Sequence, residues 1–319
     1  MLFSPRAGSG RGRSRLDEVF ECLRRRSSNA VITSDVDRAR EAIRLSPRGV
    51  LLAAGGDGTL RLAASLLPPP SGMGGEKTPT HSASLVRPSG LLHHANWRLM
   101  PVPTGTENLL SLAMGYRLDA DDIEASLDRD ETLWLDTLAI ETLRRTHSSL
   151  VMATAGLDAE VVRRVHLKRQ GHIRRWTYLR PLIQSAFRYG YRNIEVVVDD
   201  QPPISCRWAM AFNLPAYAAG LPIATGADAT DGKIDVVCFQ RPGWRAGLRY
   251  FASVMLGRHR KLSDVTIARG ESVRFESKHP VPFQCDGDYS GRLPIRIECL
   301  PANLPLVRPA TPPHRTLAG

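Results

Sequence analysis

The chain has 319 residues, of which 42% are apolar and 24% charged, as is ordinary for globular proteins. No apolar run reaches the ~18 residues of a membrane span, so the sequence predicts a cytoplasmic protein with at most peripheral membrane contacts. Five scattered cysteines without C-x-x-C spacing argue against a disulfide framework and a zinc site. The net charge of +11 favours anionic partners: nucleotide phosphates, anionic lipid heads or nucleic acid.

Short strands and helices alternate over the first hundred residues. Strands are predicted at residues 1–3, 30–33 and 97–102 and along the apolar run after Gly49, and helices at residues 16–25, 35–45 and 60–67. Apolar residues at i, i+3, i+4 and i+7 indicate the first helix, and a cap at Ser34 or Asp35 indicates the second. This order predicts right-handed βαβ units and a parallel, Rossmann-like sheet, which binds ligands beyond the C-terminal strand ends.

Glycine-containing turns follow the predicted strands. At residues 55–59, Gly-Gly-Asp-Gly-Thr joins a strand to a helix, where glycines let backbone N–H groups approach a phosphate. The alternative is a tight turn whose glycines only supply positive φ. Farther on, Gly105 would allow close approach of a ligand while Thr104 or Thr106 caps the next helix. The basic, glycine-rich N-terminal turn suits a further phosphate loop or a flexible terminus.

The sequence changes character after about Glu131. A short acidic helix at residues 119–127 precedes the change, and frequent turns then separate short strands, as in an antiparallel sandwich or barrel. These strands are predicted at residues 132–141, 149–155, 193–198, 205–212, 234–239, 265–268, 272–275, 281–285 and 294–299, with helices at 159–189 and 244–256. The predicted domains are residues 1–129 with a flexible insertion at about 68–96, residues 130–300, and a proline-rich, loosely ordered tail at 301–319.

Six segments carry motifs in a fixed order, at residues 4–10, 55–59, 103–108, 155–161, 220–236 and 284–288. They include Gly-Gly-Asp-Gly-Thr, Pro-Thr-Gly-Thr-Glu-Asn and Asp-Gly-Asp. Together they resemble the diacylglycerol kinase catalytic domain superfamily, which contains diacylglycerol, sphingosine and ceramide kinases and bacterial soluble lipid kinases. The more distant NAD kinases share the first of these three motifs. The resemblance implies an α/β domain with a parallel, Rossmann-like sheet, a C-terminal antiparallel β-sandwich, and an ATP site in the cleft between them.

The resemblance also implies roles for individual residues. Nucleotide contacts would come from Ser4, Gly8, Gly55, Gly56, Asp57, Gly58, Thr59, Gly105, Thr106 and Asn108. Asp57 would coordinate Mg²⁺, directly or through water, or orient the acceptor hydroxyl. Asp286 would be the general base with Asp288 in electrostatic support, although Asp-Gly is also a common hairpin dipeptide. Asp231 matches a position that holds a structural Mg²⁺ in some members, and an ordinary Asp-Gly turn is the equal alternative there.

Four positions depart from the family pattern. Ser4 replaces an asparagine, Glu107 a glycine, Leu109 an acidic residue and Asp288 a glutamate. A carboxylate at residue 107 would lie near the nucleotide, and Asp288 reaches one methylene less than the glutamate. The departures leave nucleotide preference and activity open.

Basic and aromatic residues are interleaved in two stretches, residues 161–194 and 240–262. Such stretches suit docking on an anionic bilayer, and the alternative is a solvated basic face with aromatics in the core. Nucleic acid is not expected, because no nucleic-acid-binding motif is present. The partners expected are therefore ATP and a lipid substrate at an anionic membrane surface, while a homodimer stays open.

These observations predict an ATP-dependent lipid kinase that phosphorylates a hydroxyl of diacylglycerol or a sphingoid-type lipid, with ATP and Mg²⁺ as cofactors. The alternatives are an NAD kinase and a catalytically silent regulator that binds ATP or lipid. The acceptor lipid stays unassigned, because acyl-chain pockets are assembled from residues that are distant in sequence.

Overall fold

The computed structural model describes residues 1–4, 11–68, 96–167, 189–217 and 220–312. Its helices are α1 (Arg11–Arg26), α2 (Val36–Leu45), α3 (Asp57–Leu66), α4 (Leu109–Met114), α5 (Ala120–Arg129), α6 (Leu157–Leu167) and α7 (Trp244–Met255), with a 3₁₀ turn at His259–Lys261. The predicted insertion, apart from its two end residues, and the later part of the predicted helix at 159–189 lie outside the described residues.

The strands occur in two groups along the chain. The first group is β1 (Leu2–Phe3), β2 (Gly49–Gly55), β3 (Trp97–Pro103), β4 (Thr132–Glu141), β5 (Thr146–Ser149), β6 (Met152–Ala155), β7 (Ile194–Val198), β8 (Ile204–Cys206) and β9 (Trp208–Phe212). The second is β10 (Ala216–Tyr217), β11 (Leu221–Pro222), β12 (Ile234–Phe239), β13 (Val265–Gly270), β14 (Ser272–Glu276), β15 (Pro282–Cys285), β16 (Asp288–Arg292) and β17 (Ile295–Val307).

The larger sheet begins as a parallel sheet and continues as a mixed one. Its order is β1-β2-β3-β17-β14-β7-β8, with β4 pairing to β17 and β5 to β4. The pairs β1/β2 and β2/β3 are parallel, and β2 and β3 are short apolar runs whose central residues are buried, as strands covered on both faces should be. Helices α1 and α2 form as the sequence predicts, and the Asp35 side chain caps α2 by accepting hydrogen bonds from the backbone N–H groups of Asp37 and Arg38.

The smaller sheet is antiparallel and has the order β13-β12-β9-β6-β15-β16. It packs against the C-terminal part of the larger sheet, and alternate apolar side chains from both sheets fill the space between them. Members of this core include Ile140, Val196, Phe275 and Ile297 from the larger sheet and Ala153, Ala211, Val236 and Phe283 from the smaller one. The predicted fold class, a parallel N-terminal sheet plus a C-terminal β-sandwich, is confirmed.

The predicted strand at residues 30–33 is wrong. This segment makes a single parallel bridge, between Thr33 and Leu2, and no ladder of pairs. The predicted strands at 149–155 and 205–212 each contain two strands, because the chain leaves one sheet and enters the other within the segment. The alternation of apolar and polar residues in the sequence does not reveal such a crossing, since the two strands on either side of it have the same period of two residues.

The last strand joins the two parts of the molecule. β17 pairs in parallel with β3 through Leu306 and Leu99, and antiparallel with β4 and β14. The prediction of a loosely ordered tail from Pro301 is therefore wrong as far as Val307, because Leu304, Leu306 and Val307 are buried in the main core. The boundaries proposed for the domains stay a prediction.

A buried carboxylate stabilises the bulge in β17, which falls between Leu300 and Leu304 in its pairing with β4. Asp136 of β4 accepts hydrogen bonds from Ala302 N and Gly232 N, each at 2.7 Å. The bulge is thereby tied to the turn that precedes β12. Within the ranges described, no helix combines the length and the apolarity that crossing a bilayer requires.

Candidate active site

Three strand ends meet at one edge of the parallel sheet. Ser4 follows β1 and donates its N–H to Ala54 O at 2.9 Å, and Thr104 follows β3 and donates its N–H to Gly55 O at 3.3 Å. The predicted nucleotide residue Ser4 and the segment that leads to Gly105 and Thr106 therefore both lie next to the end of β2, at the edge where parallel sheets bind ligands. Gly8, which the resemblance also implicates, lies outside the described residues.

The two glycine turns at this edge pack directly against each other. A Cβ on Gly105 would lie 2.4 Å from Gly56 Cα, and a Cβ on Gly55 would lie 2.2 Å from Thr59 Oγ1. Gly56 has φ −94°, and none of the glycines at residues 55–58 has positive φ. The alternative in which they only supply positive φ is therefore wrong: they are needed for close approach. Beside Gly58, in the first turn of α3, the space is open, and a bound phosphate could approach there.

The Asp57 carboxylate caps the neighbouring helix α4, although Asp57 itself belongs to α3. Its two carboxylate oxygens accept hydrogen bonds from Leu109 N and Leu110 N, both at 3.0 Å, at the start of α4. The predicted cap by Thr104 or Thr106 is wrong, because Asn108 is the residue that precedes the first turn of α4. The Asn108 side chain makes no hydrogen bond to the helix; its amide group bonds to the backbone N–H and carbonyl of Gly105. Burial raises the pKa of Asp57, and the nearby charge of Asp286 adds to this, while the α4 amides lower it.

Asp286 lies in a hairpin turn between β15 and β16, with φ +48°, followed by Gly287 with φ +83°. The backbone of Asp286 therefore does form a hairpin turn, as the alternative holds. Its side chain, however, also binds a second segment of the chain. Its carboxylate accepts hydrogen bonds from Ser149 Oγ at 2.6 Å, Leu150 N at 2.9 Å, and Val151 N and Met152 N at 3.0 Å each. The side chain is 1% exposed.

Arg61 joins the two halves of the site. This α3 side chain donates to Asp288 Oδ2 at 2.5 Å and to Cys285 O at 3.0 Å, and its Nη1 lies 3.8 Å from Asp286 Oδ2. Arg61 was missed in the sequence. The signal that could have revealed it is its position four residues after Asp57, which puts both side chains on one face of the helix.

A buried polar network lies beneath the hairpin. Gln284 accepts a hydrogen bond from Gly287 N at 2.7 Å and donates to Thr154 Oγ1 at 2.9 Å and to Asp158 Oδ2 at 3.1 Å. Thr154 and Tyr217 also donate hydroxyl hydrogen bonds to Asp158. Asp158 belongs to one of the six motifs, and its burial raises its pKa because no cation compensates among these partners.

A cavity of about 530 Å³ adjoins Arg61 and Gly58. It lies between α3, β5 and the bulge of β17, and its wall includes Leu62, Leu150 and Leu304. The chain therefore has a space of mixed lining, in part apolar, directly beside Arg61.

Residues 1–140 match the family model of the diacylglycerol kinase catalytic domain, and residues 151–308 match that of the YegS C-terminal NAD kinase beta sandwich-like domain. The chain belongs to the diacylglycerol kinase catalytic domain superfamily. It is a lipid kinase, a phosphotransferase.

Individual relatives agree with this assignment. The kinase is similar to a diacylglycerol kinase of Mycobacterium tuberculosis, with 27% identity over 214 residues, which are 65% of this chain and 68% of the relative. Its fold resembles a crystal structure of a diacylglycerol kinase from Bacillus anthracis, with a TM-score of 0.61, 13% identity, and coverage of 97% and 96% of the two chains. A second solved structure from that organism has a TM-score of 0.67 at 17% identity, with the same coverage.

The residues around Asp231 do not fit the structural Mg²⁺ implied by the resemblance. Asp231 forms an ion pair with Arg269, whose Nε also lies 3.4 Å from Asp235 Oδ2. The other oxygen of Asp231 accepts a hydrogen bond from Lys233 N at 2.9 Å. In the described part of this kinase, no group of three or more His, Cys, Asp or Glu side chains is placed to hold a metal. A guanidinium supplies the positive charge here.

Replacing Arg269 tests this arrangement. We expect Arg269→Met to lower the free energy of unfolding in urea by about 1–2 kcal/mol, because two acidic side chains lose their counter-ion at a half-exposed site. A chelator should leave the Tm of the unmutated kinase unchanged. Arg296→Met, which removes an exposed pair with Glu298, is the matched control and should have a smaller effect. A large loss of Tm with chelator would show that a metal holds the unmutated protein together.

The raised pKa of Asp158 makes a prediction about pH. A carboxyl whose folded pKa is above its unfolded pKa contributes stability at low pH, and this contribution is lost as pH rises through the folded pKa. The unfolding free energy of the unmutated kinase should therefore fall relative to that of Asp158→Asn as the pH rises above about 4, by about 1.4 kcal/mol for each unit of the pKa shift, until the folded carboxyl is ionised. The raised pKa of Asp57 affects the stability of both proteins equally, so the difference between their unfolding free energies reports on Asp158 alone. Urea unfolding at several pH values measures it, and a difference that stays flat or rises with pH would contradict it.

Proposed function

We propose that this lipid kinase transfers the γ-phosphoryl group of ATP to a hydroxyl of diacylglycerol or a sphingoid-type lipid. The observation that carries the proposal is the convergence of two turns from opposite halves of the chain. Arg61, one turn into the helix that follows the glycine turn, contacts the Asp286–Asp288 hairpin. Phosphoryl transfer needs such a meeting of a phosphate-binding turn with a carboxylate for the acceptor hydroxyl.

The ATP phosphates would bind at the start of α3, at the edge shared by Ser4, residues 55–59 and residues 104–108. Open space beside Gly58 and the exposure of Gly105 and Thr106 support this location. Asp57 would hold Mg²⁺, directly or through water, because each of its oxygens accepts only one of the two hydrogen bonds from α4 and keeps a lone pair. The ion would supply charge neutralisation on the phosphates.

Asp286 would act as general base through Oδ2. Its Oδ1 accepts three hydrogen bonds, whereas Oδ2 accepts one, from Leu150 N, and keeps a lone pair for the proton of the acceptor hydroxyl. Arg61 covers this oxygen from 3.8 Å, so the hydroxyl gains access when the guanidinium turns towards a phosphate. Asp288 is 40% exposed and holds Arg61 in its present position, which makes it a positioning residue.

The acceptor would enter beside Arg61, where the cavity of about 530 Å³ offers apolar side chains such as Leu62 and Leu150 among polar ones. Arg61 in turn lies 3.8 Å from the proposed base. Because ATP is a cytoplasmic nucleotide and the acceptor resides in a bilayer, we place the enzyme in the cytoplasm, with peripheral association with the membrane.

The NAD kinase alternative rests on the NAD kinase-like description of the C-terminal family model, and the silent regulator on the 1% exposure of Asp286.

Transfer from labelled ATP with Mg²⁺ tests the proposal directly. The acceptors are micelles of diacylglycerol, sphingosine, ceramide and a monoacylglycerol, with NAD in a separate reaction. We expect label in one lipid class. Label in NADP alone would establish the NAD kinase, and ATP binding by calorimetry without transfer to any acceptor would establish the regulator.

Asp286→Asn should lower kcat by about 10²–10⁴, because the proton acceptor is lost. The replacement also places an amide N–H₂ group among four donors, so its thermal unfolding has to be compared with that of Ser149→Ala. The latter removes one hydrogen bond to the same carboxylate but leaves the base in place, and it should retain most of the activity. Undiminished transfer by a folded Asp286→Asn would exclude Asp286 as the base.

Arg61→Met gives an independent prediction for the site. Because the guanidinium would move from Asp288 to a phosphate, we expect kcat/KM to fall about ten-fold or more. The free energy of unfolding should fall by about 1–2 kcal/mol, as for Arg269→Met, because two carboxylates lose their counter-ion. Arg40→Met removes an exposed pair with Asp37 on α2 and is the matched control. An equal loss of activity in both variants, or none in Arg61→Met, would contradict the role given to Arg61.

A further inference from the structure

Helix α7, Trp244–Met255, has apolar residues on two faces. One face is buried and attaches the helix to the protein: it contains Gly247, Tyr250 and Val254. The Tyr250 hydroxyl donates to Asp264 Oδ2 at 2.8 Å, and a Cβ on Gly247 would lie 3.0 Å from the Tyr191 hydroxyl. This face accounts for the packing of the helix.

The second face consists of exposed large side chains. Trp244, Leu248, Phe251 and Met255 are between 38% and 60% exposed, and they follow one another at i, i+4, i+7 and i+11. At about 3.6 residues per turn this spacing places all four in one stripe along the helix. Leu256, directly after the helix, is also exposed. A contiguous apolar stripe in contact with water is typical of a docking surface, whereas single exposed apolar residues are ordinary.

Arginines flank the stripe. Arg245 and Arg249 lie next to it on the helix, and Arg245 stacks over the Trp244 ring at 5.4 Å from its centroid. Between residues 240 and 264 the chain has six basic side chains and one acidic one, Asp264, which is buried and pairs with Arg249 and Arg241. The surface around the stripe is therefore positively charged, as is the whole chain with its net +11.

We propose that α7 docks the protein on an anionic lipid surface, with the stripe in the boundary between head groups and acyl chains and the arginines among the head groups. Tryptophan and arginine beside an apolar stripe are suited to that boundary. A second copy of the chain paired through its own α7 is a poor occupant of this face, because its arginines would oppose those of the first copy. A bilayer with anionic head groups is complementary in both charge and apolarity.

The docking helix is connected, through α6, to the residues that support the Asp286 hairpin. Gly247 approaches Leu157 of α6, with 3.6 Å between its Cβ position and Leu157 Cδ2. The next residue, Asp158, accepts a hydrogen bond from Gln284, which in turn holds Gly287 of the hairpin. A bilayer against α7 would thus adjoin the element that supports Asp286. The docking itself needs neither ATP nor turnover.

Sedimentation with vesicles tests the proposal on the full chain. Vesicles of equal parts phosphatidylglycerol and phosphatidylcholine should bind the protein, pure phosphatidylcholine vesicles should bind it much more weakly, and added salt should reduce binding.

Leu248→Asp and Phe251→Asp should each weaken binding about ten-fold or more, because an apolar side chain that enters the lipid is replaced by a charge. Arg245→Glu should weaken binding and reduce its dependence on salt. Leu143→Asp is the matched control: Leu143 is 88% exposed in the turn between β4 and β5, and its replacement should leave binding unchanged.

Thermal unfolding should be nearly the same for Leu248→Asp and Leu143→Asp, whose side chains are the most exposed, whereas Phe251 is only 38% exposed and its replacement also loses packing. Leu248→Asp therefore separates a loss of docking from a loss of stability. Equal binding to anionic and neutral vesicles, or undiminished binding by the two α7 aspartate variants, would overturn the proposal. So would light scattering that shows these variants separating a dimer into monomers while vesicle binding persists, since the stripe would then be an interface between copies. Because binding is measured without substrate, vesicle binding by a protein that phosphorylates no lipid would reject the proposed function and keep the docking surface.

Discussion

The site depends on the burial of one carboxylate, Asp286, at a place where the backbone supplies its hydrogen-bond donors. Burying a carboxylate is costly unless donors surround it. The chain meets this requirement where it crosses from β5 of the larger sheet to β6 of the smaller one, because three successive amides and the Ser149 hydroxyl are free of the strand ladders there. The crossing that makes the sandwich therefore also fixes the position and orientation of the hairpin side chain.

Three carboxylates and one guanidinium then determine the electrostatics of the site. Asp286 lies close enough to Asp57 that its charge adds to burial in raising the pKa of Asp57, and Arg61 is paired with Asp288 at 2.5 Å. Among the side chains that the structure describes here, the acidic charges thus exceed the basic charge at the point where an anionic nucleotide would bind. Such an arrangement repels phosphates unless cations accompany them, which is a physical reason for a kinase to take its nucleotide together with Mg²⁺.

The features that the sequence revealed were local ones. The glycine turn, the cap of α2 by Asp35, and the amphipathic helix α1 each depend on residues a few positions apart, and all three form as predicted. The features that were missed depend on distant partners: Arg61 meets its carbonyl acceptor 224 residues later in the chain. Likewise, the proline content after Pro301 suggested a loose tail, whereas the burial of Leu304 and Leu306 between β3 and β4 makes it a strand. Motif resemblance identified Asp286, but not the donors that hold it.

The same strand limits how the enzyme can close on its substrates. β17 pairs with β14 and along most of its length with β4, and it reaches β3 of the parallel sheet through the pair of Leu306 with Leu99. A rotation of the two parts as separate bodies would have to break that pair and remove Leu304, Leu306 and Val307 from the main core, where they are buried. Movements of the Arg61 side chain and of the hairpin at residues 286–288 break far fewer contacts. Closure in this kinase is therefore expected to be local, with Arg61 exchanging Asp288 for a phosphate while the sheets stay in place.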